Sequence, residues 1–319
     1  MALSQINRTS SRGRTAFPSG PGGGLRRGRS KNDGVAPWLF ILPTFLGIGI
    51  FFLWPMAQSV YFSFTEWGAF GGNTWTGLEN YRRLVSDADV LGALMNTVVY
   101  AGVSLLSIPV AIYLAGLINR PGLRFKGLFR TLYFLPVITM PAAVSIVWRI
   151  MYNGDFGIIN YLLSTVGIQG PYWLATPGVA IIAVALVGIW TSLGMNMIIL
   201  GAGLQGIPTE IYEAAELDGA SPWRQFRAIT VPLLTPSIFF VTVMTVIGSF
   251  KVFDLLFVML GAGNPVTQAS QTLVYLFYDK AFIANDKGYA AAIGLLLLVL
   301  IALVTFLQFR LQKKWVTYA

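Results

Sequence analysis

The stretch PTEIYEAAELDGASPWRQFRAITVP, residues 208–232, is a polar segment inside a chain that is otherwise mostly apolar. It carries four closely spaced acidic residues, which are Glu210, Glu213, Glu216 and Asp218. Apolar segments before and after it are long enough to cross a membrane. The polar segment therefore belongs in water at one end of a membrane-spanning region, and its role decides what the protein does.

Local sequence signals in this segment predict two short helices. Thr209 is suited to cap a first helix that ends near Leu217, and Gly219 then breaks it. Ser221 is suited to cap a second helix whose first residue is Pro222. The sequence therefore predicts a helical hairpin.

The two predicted helices have distinct faces. Ile211, Ala214 and Ala215 lie on one side of the first helix, and Trp223 and Phe226, three residues apart, share a face of the second. Small residues beside an exposed aromatic ring favour a hairpin that fits a groove on another protein. The alternative is a solvated loop with incidental charges.

The composition indicates an integral membrane protein. Of 319 residues, 55% are hydrophobic and only 11% are charged, whereas soluble domains carry about 25% charged residues. The chain has no Cys and no His, which excludes disulfides, zinc fingers and catalysis by those residues. The net charge of +9 is explained by positively charged cytoplasmic segments, without nucleic acid as a partner.

The apolar stretches predict an all-α integral membrane fold with six transmembrane helices. A span needs about 20 mainly apolar residues, and its backbone groups must be satisfied internally. The predicted helical cytoplasmic hairpin separates the fourth span from the fifth. The six expected spans cover residues 36–64, 93–118, 127–151, 177–203, 230–260 and 288–309.

The distribution of basic residues predicts the orientation. Cytoplasmic segments are enriched in Lys and Arg, and one side of the predicted topology has 16 of them against 4 on the other. Both termini and the hairpin are therefore expected in the cytoplasm, and the protein in the plasma membrane. The Arg-rich segment 1–35 is expected to be a disordered tail that anchors the topology or binds anionic lipid. The opposite loops contain Trp67, Trp75 and Trp173, which suit an aromatic belt or an external partner.

The run EAAELDGASPWRQFRAITVP, residues 213–232, resembles the EAA motif of permease subunits in binding-protein-dependent ABC importers. The matching positions are Glu213, Ala214, Ala215, Gly219, Ile229 and Pro232, and Val231 stands where the motif usually has Leu. The resemblance extends over residues 36–312 and includes WLFILPTFLGIGIFFLWPMAQSVYFSF (38–64), GLENYRRL (77–84) and LYFLPVITMPAAVSIVWRIMYNGDFGIIN (132–160). These segments are similar to the first permease subunit of the carbohydrate branch, of the maltose and glycerol-3-phosphate type.

The resemblance implies a permease domain over 36–312, a coupling loop over 204–229 and a cytoplasmic tail over 313–319. In the family the loop docks into a cleft of a separate ATPase subunit, where Glu213 and Gly219 are expected to act. The chain contains no G-x-x-x-x-G-K-[ST] motif, so ATP and Mg²⁺ are expected on the partner ATPase and no cofactor on this chain. The other implied partners are a second permease subunit, an extracellular solute-binding protein, a carbohydrate substrate and membrane lipid.

Candidate residues of the substrate path lie on the fourth and fifth spans. Each set shares a helix face, and the resemblance implies sugar contacts on these two helices. Small hydroxylated residues on one face also favour close helix packing, so both interpretations stand. The candidates are Gly188, Thr191, Ser192 and Met195 on the fourth span and Thr245 and Ser249 on the fifth.

Lys251 and Asp254 are ionisable residues in the expected fifth span, and such residues are functional by default. They are expected either to pair with each other or to line a water-filled part of the path. A single lysine favours a neutral carbohydrate over glycerol-3-phosphate. Two other classes of protein remain open on the residues alone: an ion-coupled secondary transporter, for which only Asp254 is a candidate relay, and a membrane scaffold or sensor.

Overall fold

The computed structural model describes residues 36–67, 71–119, 122–261 and 264–316. The expected tail 1–35, Arg120 of a predicted cytoplasmic loop, and residues 317–319 lie outside them. The chain divides into two units, the first ending at Leu53 and the second beginning at Trp54. Nearly all the described secondary structure is helical, which confirms the all-α class.

The described part of the first unit is one apolar helical segment. It consists of α1, Ala36–Ile48, with Pro43 inside it, followed by a π-helical segment, Gly49–Leu53. The range Pro37–Phe62, which continues into the second unit, is long and apolar enough to cross a membrane.

The second unit begins with a helix, a small hairpin and another helix. The two strands are antiparallel, with Thr65 opposite Trp75. These elements are α2 (Trp54–Phe62), β1 (Thr65–Trp67), β2 (Asn73–Trp75) and α3 (Glu79–Ser86).

The middle of the second unit is a series of apolar helices. They are α4 (Ala88–Ser104), α5 (Ser107–Ile118), α6 (Lys126–Ile138), α7 (Pro141–Met151), α8 (Ile158–Thr165) and α9 (Val179–Gln205).

The last part of the unit includes the predicted hairpin and the longest described helix. Its α-helices are α10 (Thr209–Leu217), α11 (Pro222–Gln225), α12 (Val231–Leu233), α13 (Thr235–Phe250), α14 (Asp254–Leu260), α15 (Pro265–Ser270), α16 (Leu273–Tyr278) and α17 (Lys287–Trp315). Two π-helical segments, Phe226–Thr230 and Asp279–Ile283, interrupt the series.

Four helical stretches of the described chain could span a membrane as they stand, and six could if each of two bent pairs counts as one span. The expected span 127–151 is not one continuous helix, because α6 and α7 are bent by 100°. The bend lies where Met140 precedes Pro141. The helical region is disfavoured for a residue before proline, and Met140 has φ −59° and ψ 127°.

The expected span 230–260 is also not a continuous helix. The segment Pro222–Leu233 is bent by 67° against α13, which ends at Phe250, and α14 begins at Asp254. Lys251 follows the carboxyl end of α13 and Asp254 opens α14. A cation at a helix C-terminus and an anion at a helix N-terminus both interact favourably with the helix dipole.

Helix α9 is the centre of the second unit and packs against α4, α5, α6, α13 and α14. Its buried residues include small ones, among them Ala180, Ala183 and Gly188. Small side chains let neighbouring helix backbones approach closely in a membrane protein. At Gly188 an added methyl group would collide with the hydroxyl group of Tyr100 on α4.

A polar cluster joins α3 and the start of α4 to the start of α17. The Tyr289 hydroxyl donates to Asp87 at 2.6 Å, and Arg83 pairs with Asp286 at 2.6 Å. The guanidinium of Arg83 also lies 3.9 Å from the centre of the Tyr289 ring. Burial raises the pKa of Asp87, but its hydrogen bonds and neighbouring cations outweigh burial and lower the pKa below 3.8. The cluster links α3 and the start of α4, near the beginning of this unit, to α17 at its end.

Candidate functional site

The polar segment forms the predicted hairpin, and its turn is closed by a Schellman motif. Gly219 has φ +75°, in the left-handed region that favours glycine. Its N–H donates to the carbonyl of Glu216 at 2.9 Å, and the N–H of Ala220 donates to the carbonyl of Ala215 at 2.9 Å. These two bonds satisfy carbonyl groups at the end of α10. The predicted break at Gly219 is confirmed.

Side chains tie the two arms of the hairpin together. The hydroxyl groups of Tyr212 and Thr230 lie 3.0 Å apart, and the amide of Gln225 donates to the Ala220 carbonyl at 3.2 Å. Ser221 caps α11, as predicted. The predicted cap at Thr209 is wrong: Pro208, with extended backbone, takes the cap position, and Thr209 is the first helical residue.

The hairpin exposes apolar and acidic side chains at its tip. Leu217 is 90% exposed and Trp223 is 66% exposed, and Glu213 is also exposed. The Trp223 ring stacks on Phe226 at 5.7 Å, and Phe226 lies in turn against Gly116 of α5. The tip therefore exposes both apolar and acidic side chains, and its base contacts α5.

The remaining motif positions lie along the same hairpin. Ala214 is exposed on α10 and Ala215 is half-buried beneath it. Ile229 and Pro232 are both half-buried where the chain returns through the π-helical segment and α12 to α13. The motif thus extends from the exposed tip to the base of a long apolar helix.

A cavity of about 420 Å³, here named the Thr191 cavity, contains four of the eight predicted path residues. Its volume falls in the range of about 300–1,000 Å³ that is common for small-molecule sites. The sequence did not single out Tyr100, Thr139 or Gly248, which also line it, because they come from other helices or lack a polar side chain. The four predicted residues in its wall are Thr191, Met195, Lys251 and Asp254.

The other four predicted path residues are not among the described lining residues of this cavity. Ser249 is buried and donates to the carbonyl of Thr245 at 2.8 Å, and Ser192 donates to the carbonyl of Ile189 at 2.9 Å. Gly188 is the contact point with Tyr100. In this structure Gly188 therefore contributes to helix packing, and the hydroxyl groups of Ser192 and Ser249 make hydrogen bonds within their own helices.

Lys251 and Asp254 do not form an ion pair in the described structure. Both are exposed at the break between α13 and α14, and both face the Thr191 cavity. The broken helix accounts for this arrangement, since a continuous helix would have stacked them one turn apart. Their positions therefore fit the prediction that they line an open, polar part of the path better than the prediction that they form an ion pair.

The three tryptophans of the predicted outer loops take part in aromatic clusters. Trp75 stacks on Phe64 at 5.4 Å, and the amino group of Lys287 lies 4.5 Å from the Trp67 ring centre. The indole N–H of Trp173 donates to Asn160 at 2.7 Å. Of the three, Trp75 is a large exposed apolar residue.

Apolar helices long enough to span a membrane, with a polar helical hairpin between them, define a multi-pass membrane protein. The chain belongs to the family described as "Binding-protein-dependent transport system inner membrane component", whose sequence pattern matches residues 107–317. This places the protein in a membrane.

Three relatives support the family over nearly the full length. The "Probable ABC transporter permease protein YesP" of Bacillus subtilis is 35% identical, with 92% of this chain and 96% of the relative covered. The sn-glycerol-3-phosphate transport system permease protein UgpA of Agrobacterium fabrum is 34% identical, with 89% and 97% covered. The lactose transport system permease protein LacF of Rhizobium radiobacter is 35% identical, with 88% and 95% covered.

A solved structure has the same fold. A chain of a bacterial alginate ABC transporter, crystallised with an alginate pentasaccharide-bound periplasmic protein, matches with a TM-score of 0.77. The match covers 88% of this chain and 94% of that chain, at 22% identity.

Proposed function

We propose that this chain is the permease subunit that forms the path for a carbohydrate in an ATP-driven importer. The sugar is delivered by an extracellular solute-binding protein, and the chain pairs with a second, different permease and with an ATPase dimer. Family membership and the lactose permease relative support this assignment. Membership also favours an ATP-driven importer over an ion-coupled transporter or a scaffold.

The hairpin is the part of the chain that docks on the ATPase and transmits its conformational change to the membrane helices. Its exposed tip supplies apolar surface for docking, and Glu213, Ala214, Ala215 and Gly219 form its coupling face. Ile229 and Pro232 pass the movement to α13. A ligand shifts a conformational equilibrium only through a difference in its affinity for the two states, so ATP binding on the partner acts on this chain through that rigid contact. The hairpin with its Schellman-closed turn and exposed tip is the observation that carries the proposal.

This chain does not hydrolyse ATP itself. ATP and Mg²⁺ belong on the partner ATPase, and the permease holds no cofactor. Both termini and the hairpin are cytoplasmic, in keeping with the excess of basic residues on that side. The permease domain covers 36–312, with the coupling loop at 204–229, a basic tail at 1–35 and a short tail at 313–319.

The Thr191 cavity is the first station of the path. Thr191, Met195, Lys251 and Asp254 face the sugar, while Gly188, Ser192, Thr245 and Ser249 hold the helices that shape the cavity. One cation and one anion in the wall give no net charge, which suits a neutral carbohydrate.

A second candidate substrate is glycerol-3-phosphate, which the glycerol-3-phosphate permease relative and the cation Lys251 favour. Reconstitution of the complete transporter in proteoliposomes separates the two. We expect ATP-dependent uptake of labelled lactose through a lactose-loaded binding protein, with little uptake of labelled glycerol-3-phosphate. Uptake of the phosphate ester alone would overturn the neutral-sugar assignment, and uptake that requires an ion gradient but no ATP would overturn the importer.

A further inference from the structure

A second cavity, here named the Arg130 cavity, lies further along α9 toward its carboxyl end. Its volume is about 510 Å³, again within the range of about 300–1,000 Å³ that is typical of small-molecule sites. The cavity is open on one side and is lined by residues from α5 and its carboxyl end, α6 and α9, among them Asn119, Arg130, Tyr133, Met197, Ile198 and Gln205.

One face of α9 contributes residues to both cavities. Thr191, Met195, Ile198, Ala202 and Gln205 follow one another at intervals of three or four residues, so they share a face of the helix. All five are half-buried or exposed. The first two line the Thr191 cavity and the last three line the Arg130 cavity. At 1.5 Å per residue, this face is about 21 Å long.

A close contact between α6 and α9 separates the two cavities. A methyl group added to Gly194 would lie 2.5 Å from the carbonyl oxygen of Tyr133 and 2.5 Å from a methyl carbon of Val137. Tyr133 lines the Arg130 cavity and Val137 lines the Thr191 cavity. The contact at Gly194 is therefore a waist, with a cavity on each side of it.

The wall of the Arg130 cavity suits a polyhydroxylated ligand. Arg130 offers a planar set of N–H donors, and the amides of Asn119 and Gln205 supply both donors and acceptors. Tyr133 and Phe134 add aromatic surface for the apolar faces of a sugar ring. No acidic side chain is among the described residues of this wall, so it carries a net positive charge.

We propose that the Arg130 cavity is a second, inner binding station that receives the carbohydrate after it passes the waist, with Arg130 and Gln205 as its hydrogen-bonding residues. This inference rests on the proposed function and on the cytoplasmic location of the loop that precedes α6. The sugar leaves the Thr191 cavity, moves along the shared face of α9 and is held once more before release.

The test compares variants of the complete transporter in proteoliposomes. The probe is labelled lactose or labelled glycerol-3-phosphate, whichever the wild type takes up. The inner variants are Arg130→Gln and Gln205→Leu, with Ala202→Phe as a variant that fills the cavity and keeps its charge. Arg124→Gln is the matched control, because Arg124 is exposed in the same region but does not line the cavity. Thr191→Trp obstructs the first station.

We expect Arg130→Gln to lower kcat for uptake by about tenfold, the effect of losing one charge-assisted hydrogen bond. KM for the loaded binding protein should not change, because delivery occurs on the far side of the waist. Ala202→Phe should also lower kcat, and Arg124→Gln should leave both constants at the wild-type values.

Several outcomes overturn the inner station. If the inner variants transport like Arg124→Gln while Thr191→Trp blocks uptake, the proposed function stands and the inner station is wrong. If Arg130→Gln and Ala202→Phe lose the second permease during purification, the cavity is a subunit interface. If native mass spectrometry finds an anionic lipid that Arg130→Gln loses while uptake is normal, the cavity is a lipid site. If the wild type shows no ATP-dependent uptake of either probe or of any other sugar loaded on the binding protein, the proposed function and the inner station are refuted together.

Discussion

Replacement of Gly219 tests the coupling hairpin through backbone conformation alone. An added Cβ at Gly219 would meet no atom within 4 Å, so sterics outside the backbone play no part. The residue has φ +75°, and a non-glycine residue in the left-handed region costs roughly 1–2 kcal/mol. If the ATPase binds only the intact hairpin, Gly219→Ala should weaken its apparent affinity by about 5- to 30-fold.

The series of substitutions at this position has a predicted order. Asparagine tolerates the left-handed region better than alanine, so Gly219→Asn should bind the ATPase more tightly than Gly219→Ala. Proline fixes φ near −65° and has no N–H, so Gly219→Pro also loses the bond to Glu216 and should abolish coupled uptake. The control is Gly127→Ala, which also has open space around it but no positive φ.

The assay titrates purified ATPase against permease in proteoliposomes and records ATP hydrolysis and sugar uptake together. The Gly219 variants should insert and purify with the second permease at wild-type levels, because residue 219 lies outside the apolar helices. If Gly219→Ala binds the ATPase as tightly as wild type, or if Asn is no better than Ala, backbone strain at Gly219 does not control coupling and the reasoning is refuted.

Three further predictions concern other parts of the molecule. Gly194→Ala should lower the free energy of unfolding of the permease by about 1–3 kcal/mol, because the contact between α6 and α9 at the waist has no room for a methyl group. An unchanged melting temperature would contradict this close contact. Trp223→Ala should weaken ATPase binding by about 2–4 kcal/mol, as expected for an exposed aromatic anchor, without changing sugar binding. Equal ATPase affinity of the wild type and the variant would show that Trp223 is not part of the interface. Tyr289→Phe removes the 2.6 Å bond to Asp87 and should cost about 1–3 kcal/mol of stability at neutral pH. Because the pKa of Asp87 is lowered in the folded protein, its contribution is present above pH 3.8 and is lost as pH falls through the lowered value; thermal unfolding should show the wild type losing more stability in acid than the variant, and parallel pH profiles would contradict this.

Local sequence determined the class of fold and the shape of the hairpin. Long apolar runs must form helices in a membrane, since no water is present to satisfy the backbone. Gly219, Ser221 and Pro222 fixed the turn and the second arm because their preferences act within a few residues of backbone. The same kind of signal failed at Thr209, where the preceding Pro208 already occupies the cap position in an extended conformation.

Tertiary structure decided the arrangement of the cavities. The sequence placed Thr191 and Met195 on one helix face, but it could not show that Tyr100 contacts Gly188, since these residues are far apart along the chain and meet only through packing. It also left open whether Lys251 and Asp254 pair on one helix or line the path, whereas the break after α13 puts them at two helix ends that face one cavity. Sequence periodicity indicates which residues share a face of one helix. It does not indicate which helix faces enclose a cavity, because that depends on helix bends and on contacts between distant residues. These bends and contacts exist only in the folded chain.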